Sequence, residues 1–148
     1  MRARRSSRTA PIACDRVLYL DASAIVKLVR REPETLDLID AVRQDPALVS
    51  SALSWTEVMR GVRRVGGDAA RAEEVLGDIA LVPIDDGIVR AAADLAPRTL
   101  RGVDAVHLAT VLSLADDVDR LVTYDARLAD AAAAAGIDVA APGASQLV

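Results

Sequence analysis

Val17-Leu18-Tyr19-Leu20-Asp21-Ala22-Ser23-Ala24-Ile25-Val26-Lys27-Leu28-Val29 decides the fold. The first four residues are a short apolar run, and Ala24, Ile25, Leu28 and Val29 then follow at helical spacing. Strand, turn and helix are therefore expected, with Asp21 at the junction. Leu121-Val122-Thr123-Tyr124-Asp125 repeats the pattern late in the chain, before an alanine-rich helix that should end at Gly136.

Between these units the alternation continues. Glu34 to Arg43 reads as an amphipathic helix stopped by Asp45-Pro46, and Ala47 to Leu53 as a second strand. Ser54 or Thr56 can cap the next helix, which should reach Gly66-Gly67 with Glu57 in its first turn. A helix from Asp68 through Ile79, an extended Leu81 to Ile84 and a helix from Val89 to Leu95, closed by Pro97, come next. Val103 to Leu114 is apolar or small in almost every direction, so this helix should be buried on most sides. Ile137 to Val139 offers a last short strand. Short strands alternating with helices predict a three-layer α/β fold, a mostly parallel central sheet flanked by helices. In such sheets ligands bind outside the carboxyl ends of the strands, which directs attention to Asp21 and Asp125.

Composition bounds the function. The 148 residues suffice for one domain, and 52% hydrophobic content is too high for a disordered regulator. We expect a single folded domain over residues 17–148. With Tyr19, Trp55 and Tyr124 as the only aromatics, stacked platforms for single-stranded bases are disfavoured. Cys14 stands alone and so does His107, which leaves no thiolate zinc site, no disulfide and no multi-histidine metal site within one chain. Any metal must be held by oxygen. Acids and bases interrupt the apolar run after the first arginines, so neither a signal peptide nor a membrane span is expected, and a cytoplasmic location fits. Five of the 18 basic residues and one of the 22 acidic residues fall in residues 1–16, so the remainder carries a net charge of −8. We read that arginine-rich start as a flexible extension, and the acidic remainder as unsuited to broad nonspecific binding of nucleic acid.

Four acids sit at the ends of elements: Asp21 and Asp125 after strands, Asp104 opening the buried helix, and Glu57 early in its own. Taken singly, each is explained as a helix cap or as a partner of the helix dipole. Brought to one sheet edge, they would repel one another unless a cation neutralised them, and hard carboxylates suit Mg²⁺ or Mn²⁺. Such an ion bound beside a phosphodiester supports hydrolytic nuclease chemistry. His107, three residues after Asp104, reads as a packed histidine supporting the site and not as a ligand or base. Arg60, Arg64, Arg98 and Arg101 could line an anionic substrate path, with solvated charge an equal reading. The doublets Asp85-Asp86 and Asp116-Asp117 read as caps and solvated charge.

Leu18 to Ala24, Ser54-Trp55-Thr56-Glu57, Asp104 to Ala109 and Leu121 to Asp125 together resemble the four motif regions of PIN-domain ribonucleases, most closely VapC-type toxins of type II toxin-antitoxin systems. The resemblance spans roughly residues 17–140. It implies an acidic catalytic site of Asp21, Glu57, Asp104 and Asp125, supported by the hydroxyls of Ser23 and Thr123. It further implies Mg²⁺- or Mn²⁺-dependent cleavage of RNA, homodimerisation and inhibition by a small antitoxin. We expect Asp21 and Asp104 to bind the ion directly, with Glu57 and Asp125 acting through water or on a second ion. Two other readings compete. A phosphorylation-switched receiver domain would need an acidic pair after its first strand and a lysine after its last, but the one lysine is Lys27. A dehalogenase-type phosphatase would need an aspartate where Ser23 stands. An inactive PIN scaffold is a third possibility, although all four acids are present.

Overall fold

The computed structural model describes residues 16–44 and 47–145. Residues 1–15 of the arginine-rich start and the Asp45-Pro46 stop lie outside that range. Among the described residues, five strands form one sheet: β1 (Val17–Leu20), β2 (Ala47–Ser51), β3 (Ala80–Val82), β4 (Arg120–Val122) and β5 (Val139–Ala140). Their order is β3-β2-β1-β4-β5, and every pairing is parallel. The mostly parallel sheet expected from the sequence is thus wholly parallel among these strands. Because the chain runs outward from β1 to β3 and then returns to the other side for β4 and β5, the order reverses at β1. The crevice beyond its carboxyl end is the place where such sheets hold ligands.

Among the described residues, seven helices cover the sheet: α1 (Ala22–Val29), α2 (Thr35–Gln44), α3 (Leu53–Arg64), α4 (Ala69–Gly77), α5 (Asp86–Asp94), α6 (Gly102–Ser113) and α7 (Ala126–Ala134). Four of them start on an aspartate whose carboxylate accepts a backbone N–H of the first turn: Asp21 for α1, Asp68 for α4, Asp85 for α5 and Asp125 for α7. At the other ends, Gly66 and Gly136 take the left-handed backbone (φ +67° and +87°) that L side chains disfavour, and so close α3 and α7.

Alternation along β1 divides the core. Leu18 and Leu20 pack with Ile25, Leu38, Val58 and Leu76 beneath α1 to α4, whereas Tyr19 points to the opposite face and packs with Leu108, Val111 and Leu128 of α6 and α7. Burial on both faces is why β1 is an unbroken apolar run. As expected from its sequence, α6 buries seven residues, Asp104 and His107 among them.

One expectation fails at the start of α3. The strand stops at Ser51, the helix begins at Leu53 from the helical backbone of Ala52, and no side chain of the capping residue bonds to it. Ser51 Oγ instead accepts the Leu53 N–H at 3.1 Å, and Ser54, expected as a cap, is buried with its hydroxyl 2.7 Å from that of Ser50. Glu57 consequently lies in the second turn, where the helix dipole no longer explains it.

Candidate active site at the carboxyl edge of the sheet

Asp21 is 4% exposed, and every polar contact of its carboxylate comes from the first turn of α1 and the segment just after β4. Oδ1 accepts from Ser23 Oγ at 2.6 Å and from Ala24 N at 3.0 Å, and Oδ2 accepts from Thr123 Oγ1 at 2.6 Å. Those hydroxyls accept in turn: Ser23 Oγ from Tyr124 N at 2.9 Å, and Thr123 Oγ1 from Asp125 N at 3.1 Å. Ser23 and Thr123 thus tie Asp21 to the segment that carries Asp125. Burial pushes the Asp21 carboxyl above its ordinary range, opposed by the hydrogen bonds from Ser23, Thr123 and the Ala24 N–H. A buried carboxylate in this condition gains from any nearby cation.

The chain places one of its own cations here. Arg101, just before α6, donates from Nε to Asp104 Oδ2 at 2.9 Å and from Nη2 to Asp125 Oδ2 at 3.1 Å. Its side chain is 56% exposed while that of Asp104 is 8% exposed, so the guanidinium spans the mouth of the site. Glu57 approaches from α3 and is close enough to act on Arg101 electrostatically. Its Oε1 lies 2.6 Å from His107 Nε2. All six residues singled out from the sequence therefore reach this edge. Even so, among the described residues no three carboxylate, imidazole or thiol groups close around a common point, so an ion here would keep several waters.

Two hollows meet at the site. A groove of about 780 Å³ runs from Ser23 and Glu57 along α1 and α3 to Val65, with Lys27, Arg30 and Arg64 on its walls. A hollow of about 560 Å³ shares Ser23 and Tyr124 and adds Arg101, Asp125 and Arg127. Of the arginines marked as a possible substrate path, Arg64 and Arg101 line these openings, whereas Arg98 lines a separate hollow beside Leu95 and Ala105. The sequence reading gave Tyr19 no part here. Its hydroxyl lies 2.8 Å from His107 Nδ1, and the signal was the alternation in β1 that turns Tyr19 toward the helix bearing His107.

The sequence pattern of the PIN domain family matches residues 18–134. Ribonuclease VapC46 of Mycobacterium tuberculosis is 44% identical over 126 residues, which cover 84% of this chain and 97% of that protein. The chain belongs to the PIN-domain family. Ribonuclease VapC47 of the same species is 34% identical over 134 residues, covering 86% of this PIN domain and 98% of the relative. Solved structures that share its fold include two toxin proteins. One is a toxin-antitoxin complex from Klebsiella pneumoniae (TM-score 0.65, 22% identity, 84% and 97% coverage). The other is M. tuberculosis VapC20, described as a sarcin-ricin loop cleaving toxin (TM-score 0.64, 14% identity, 81% and 95% coverage). Family membership removes the receiver and phosphatase alternatives. Among the described residues, no helix of this PIN domain is long and apolar enough to cross a membrane.

Proposed function

We propose that this PIN domain, a single folded unit over residues 17–148, is the VapC-type ribonuclease toxin of a toxin-antitoxin pair, with Asp21, Glu57, Asp104 and Asp125 as its catalytic acids. The observation that carries the reading is the bridge of Arg101 between Asp104 and Asp125, 21 residues apart in sequence, beside a buried Asp21 held by Thr123. Caps alone would not gather at one cation. The identity to proteins named as ribonucleases supports the same reading.

Among the described residues the donor chemistry suits a hard divalent ion: four carboxylates at one sheet edge, and an imidazole whose two nitrogens are both engaged. Asp21 and Asp104, the two most buried of the acids, would hold Mg²⁺ or Mn²⁺, and Ser23 and Thr123 orient Asp21 for that task. When bound, such an ion supplies Lewis-acid polarisation of an RNA phosphodiester. The protein's own part is positioning. The groove beside Glu57 accepts the strand, Arg30 and Arg64 offer positive charge to its phosphates, and Asp125 and Glu57 orient the attacking water.

An antitoxin segment carrying an arginine would inhibit by adding a guanidinium to a site that already accepts one from Arg101. Self-association is part of the same reading and rests on the resemblance to VapC-type toxins. The test is direct: purified protein is incubated with total RNA and Mn²⁺, the cleaved ends are sequenced, and light scattering is recorded on the same sample. We expect discrete cleavage sites and the mass of a dimer. Intact RNA at every protein concentration would overturn the ribonuclease reading, and a strict monomer the self-association.

A further inference from the structure

His107 is the one histidine in the chain, and it is almost wholly buried at 2% exposure in the middle of α6. Both of its ring nitrogens are engaged. Nδ1 lies 2.8 Å from the hydroxyl of Tyr19, which is itself fully buried in the central strand, and Nε2 lies 2.6 Å from Glu57 Oε1 at the rim of the groove. The two rings meet edge to face at 84°, with centroids 5.9 Å apart. A buried phenol, an imidazole and a carboxylate thus form one line from the sheet interior to the candidate site.

The direction of donation follows from what each group can do. An ionised carboxylate only accepts, so the hydrogen between Nε2 and Glu57 belongs to Nε2. In a neutral ring Nδ1 then carries a lone pair and must accept from the Tyr19 O–H. Tyr19 is suited to donate, because burial, reinforced by the negative charge of Asp21, holds its phenol well above the ordinary value. Both bonds therefore point outward, and in a medium without water each polarises the next.

Glu57 has reason to need such an anchor. It stands in the second turn of α3 on a long, flexible side chain, 28% exposed. Unlike Asp21 and Asp125, it accepts no bond from a helix N-terminus. We infer that His107 is a positioning residue for Glu57, holding Oε1 so that the second oxygen faces the site, and that Tyr19 fixes the imidazole in the tautomer with its proton on Nε2. The inference rests on the reading of Glu57 as a catalytic acid.

The single histidine makes the test clean. Untagged protein labelled with ¹⁵N-histidine gives one set of imidazole signals, and these are expected to show a protonated Nε2 and an unprotonated Nδ1 at neutral pH. An Nδ1–H tautomer would overturn the inference. In RNA cleavage at saturating Mn²⁺, His107→Leu should lower kcat by about tenfold or more with little change in KM, the range found when groups that orient site residues are removed. His107→Gln keeps an N–H at a similar reach and should recover most of that loss. Tyr19→Phe keeps the ring and should lose severalfold in kcat, with faster exchange of the Nε2 proton. Should His107→Leu fail to fold, the Gln and Phe variants still decide the matter.

A cycle separates this inference from the function it rests on. If His107 acts through Glu57, His107→Leu costs nothing further in the Glu57→Gln background. Equal losses in both backgrounds, or a Gln variant as poor as Leu with a matching fall in melting temperature, would show a purely structural histidine. Full activity in Glu57→Gln would instead remove Glu57 from the catalytic acids. Inactivity of the unmodified protein would overturn the ribonuclease reading while leaving the tautomer as the spectrum reports it.

Discussion

Asp21→Asn should abolish RNA cleavage and leave the fold intact. The substitution keeps the shape of the side chain, and its amide oxygen can still accept from Ser23 Oγ and Ala24 N, so the start of α1 stays capped. The amide nitrogen would face Thr123 Oγ1, a hydroxyl that accepts as readily as it donates. What is lost is the negative charge at the buried position proposed to hold the metal. Several kcal/mol of transition-state stabilisation depend on such a charge, so cleavage should fall by at least about a hundredfold.

Stability should move the other way. Because the folded pKa of Asp21 is raised by burial, the native state prefers the neutral acid more strongly than the unfolded chain does. The contribution of this group is fully favourable below the unfolded value, near 3.8, and is lost as pH rises through the raised folded value. At neutral pH the unmodified protein therefore carries a penalty that the uncharged asparagine lacks. Melting temperatures measured in EDTA from acid to neutral pH should show Asp21→Asn gaining on the unmodified protein as pH rises. Retained cleavage by purified Asp21→Asn, with contaminating nuclease removed, would falsify the assignment of Asp21. A variant that melts lower at every pH would show instead that its carboxylate acts as a cap.

The residues that made the fold legible differ in kind from those that did not. Val17 to Leu20, the step into helix at Asp21 and the all-round apolar Val103 to Leu114 each signal through local period. Local period also determines which face a side chain takes, which is why β1, its carboxyl-edge acids and the central helix could be placed without coordinates. The start of α3 was misread because Ser54 looks like a cap by type. Its hydroxyl is used by Ser50 in a buried pair that no local pattern reveals. Long-range pairs were out of reach for the same reason. Arg101 meets Asp125 across 24 residues and Tyr19 meets His107 across 88, contacts created by the order of strands in the sheet. That order reverses at β1, and period says nothing about it.

Metal should stabilise the protein as strongly as it activates it. Cleavage is expected to stop in excess EDTA and to return with Mg²⁺ or Mn²⁺. Because Asp21, Asp104 and Asp125 come to one edge of the sheet only in the folded chain, an ion at a hundredfold excess over its Kd should stabilise the native state by about 2.7 kcal/mol. For a chain of this length that raises the melting temperature by about 10 °C. Arg101 opposes the ion, since its guanidinium holds the Asp104 oxygen that the metal would take. Arg101→Ala should therefore melt lower without metal, because Asp104 is left buried and unpaired, and should bind Mn²⁺ more tightly in a calorimetric titration. The double variant Asp21→Asn plus Asp104→Asn should show no Mn²⁺ shift, having lost both of the proposed ligands. An undiminished shift in that variant, or full RNA cleavage in EDTA, would return these carboxylates to the simpler role of helix caps. Arg101 would then be a surface ion pair, and its removal would leave the affinity for Mn²⁺ unchanged.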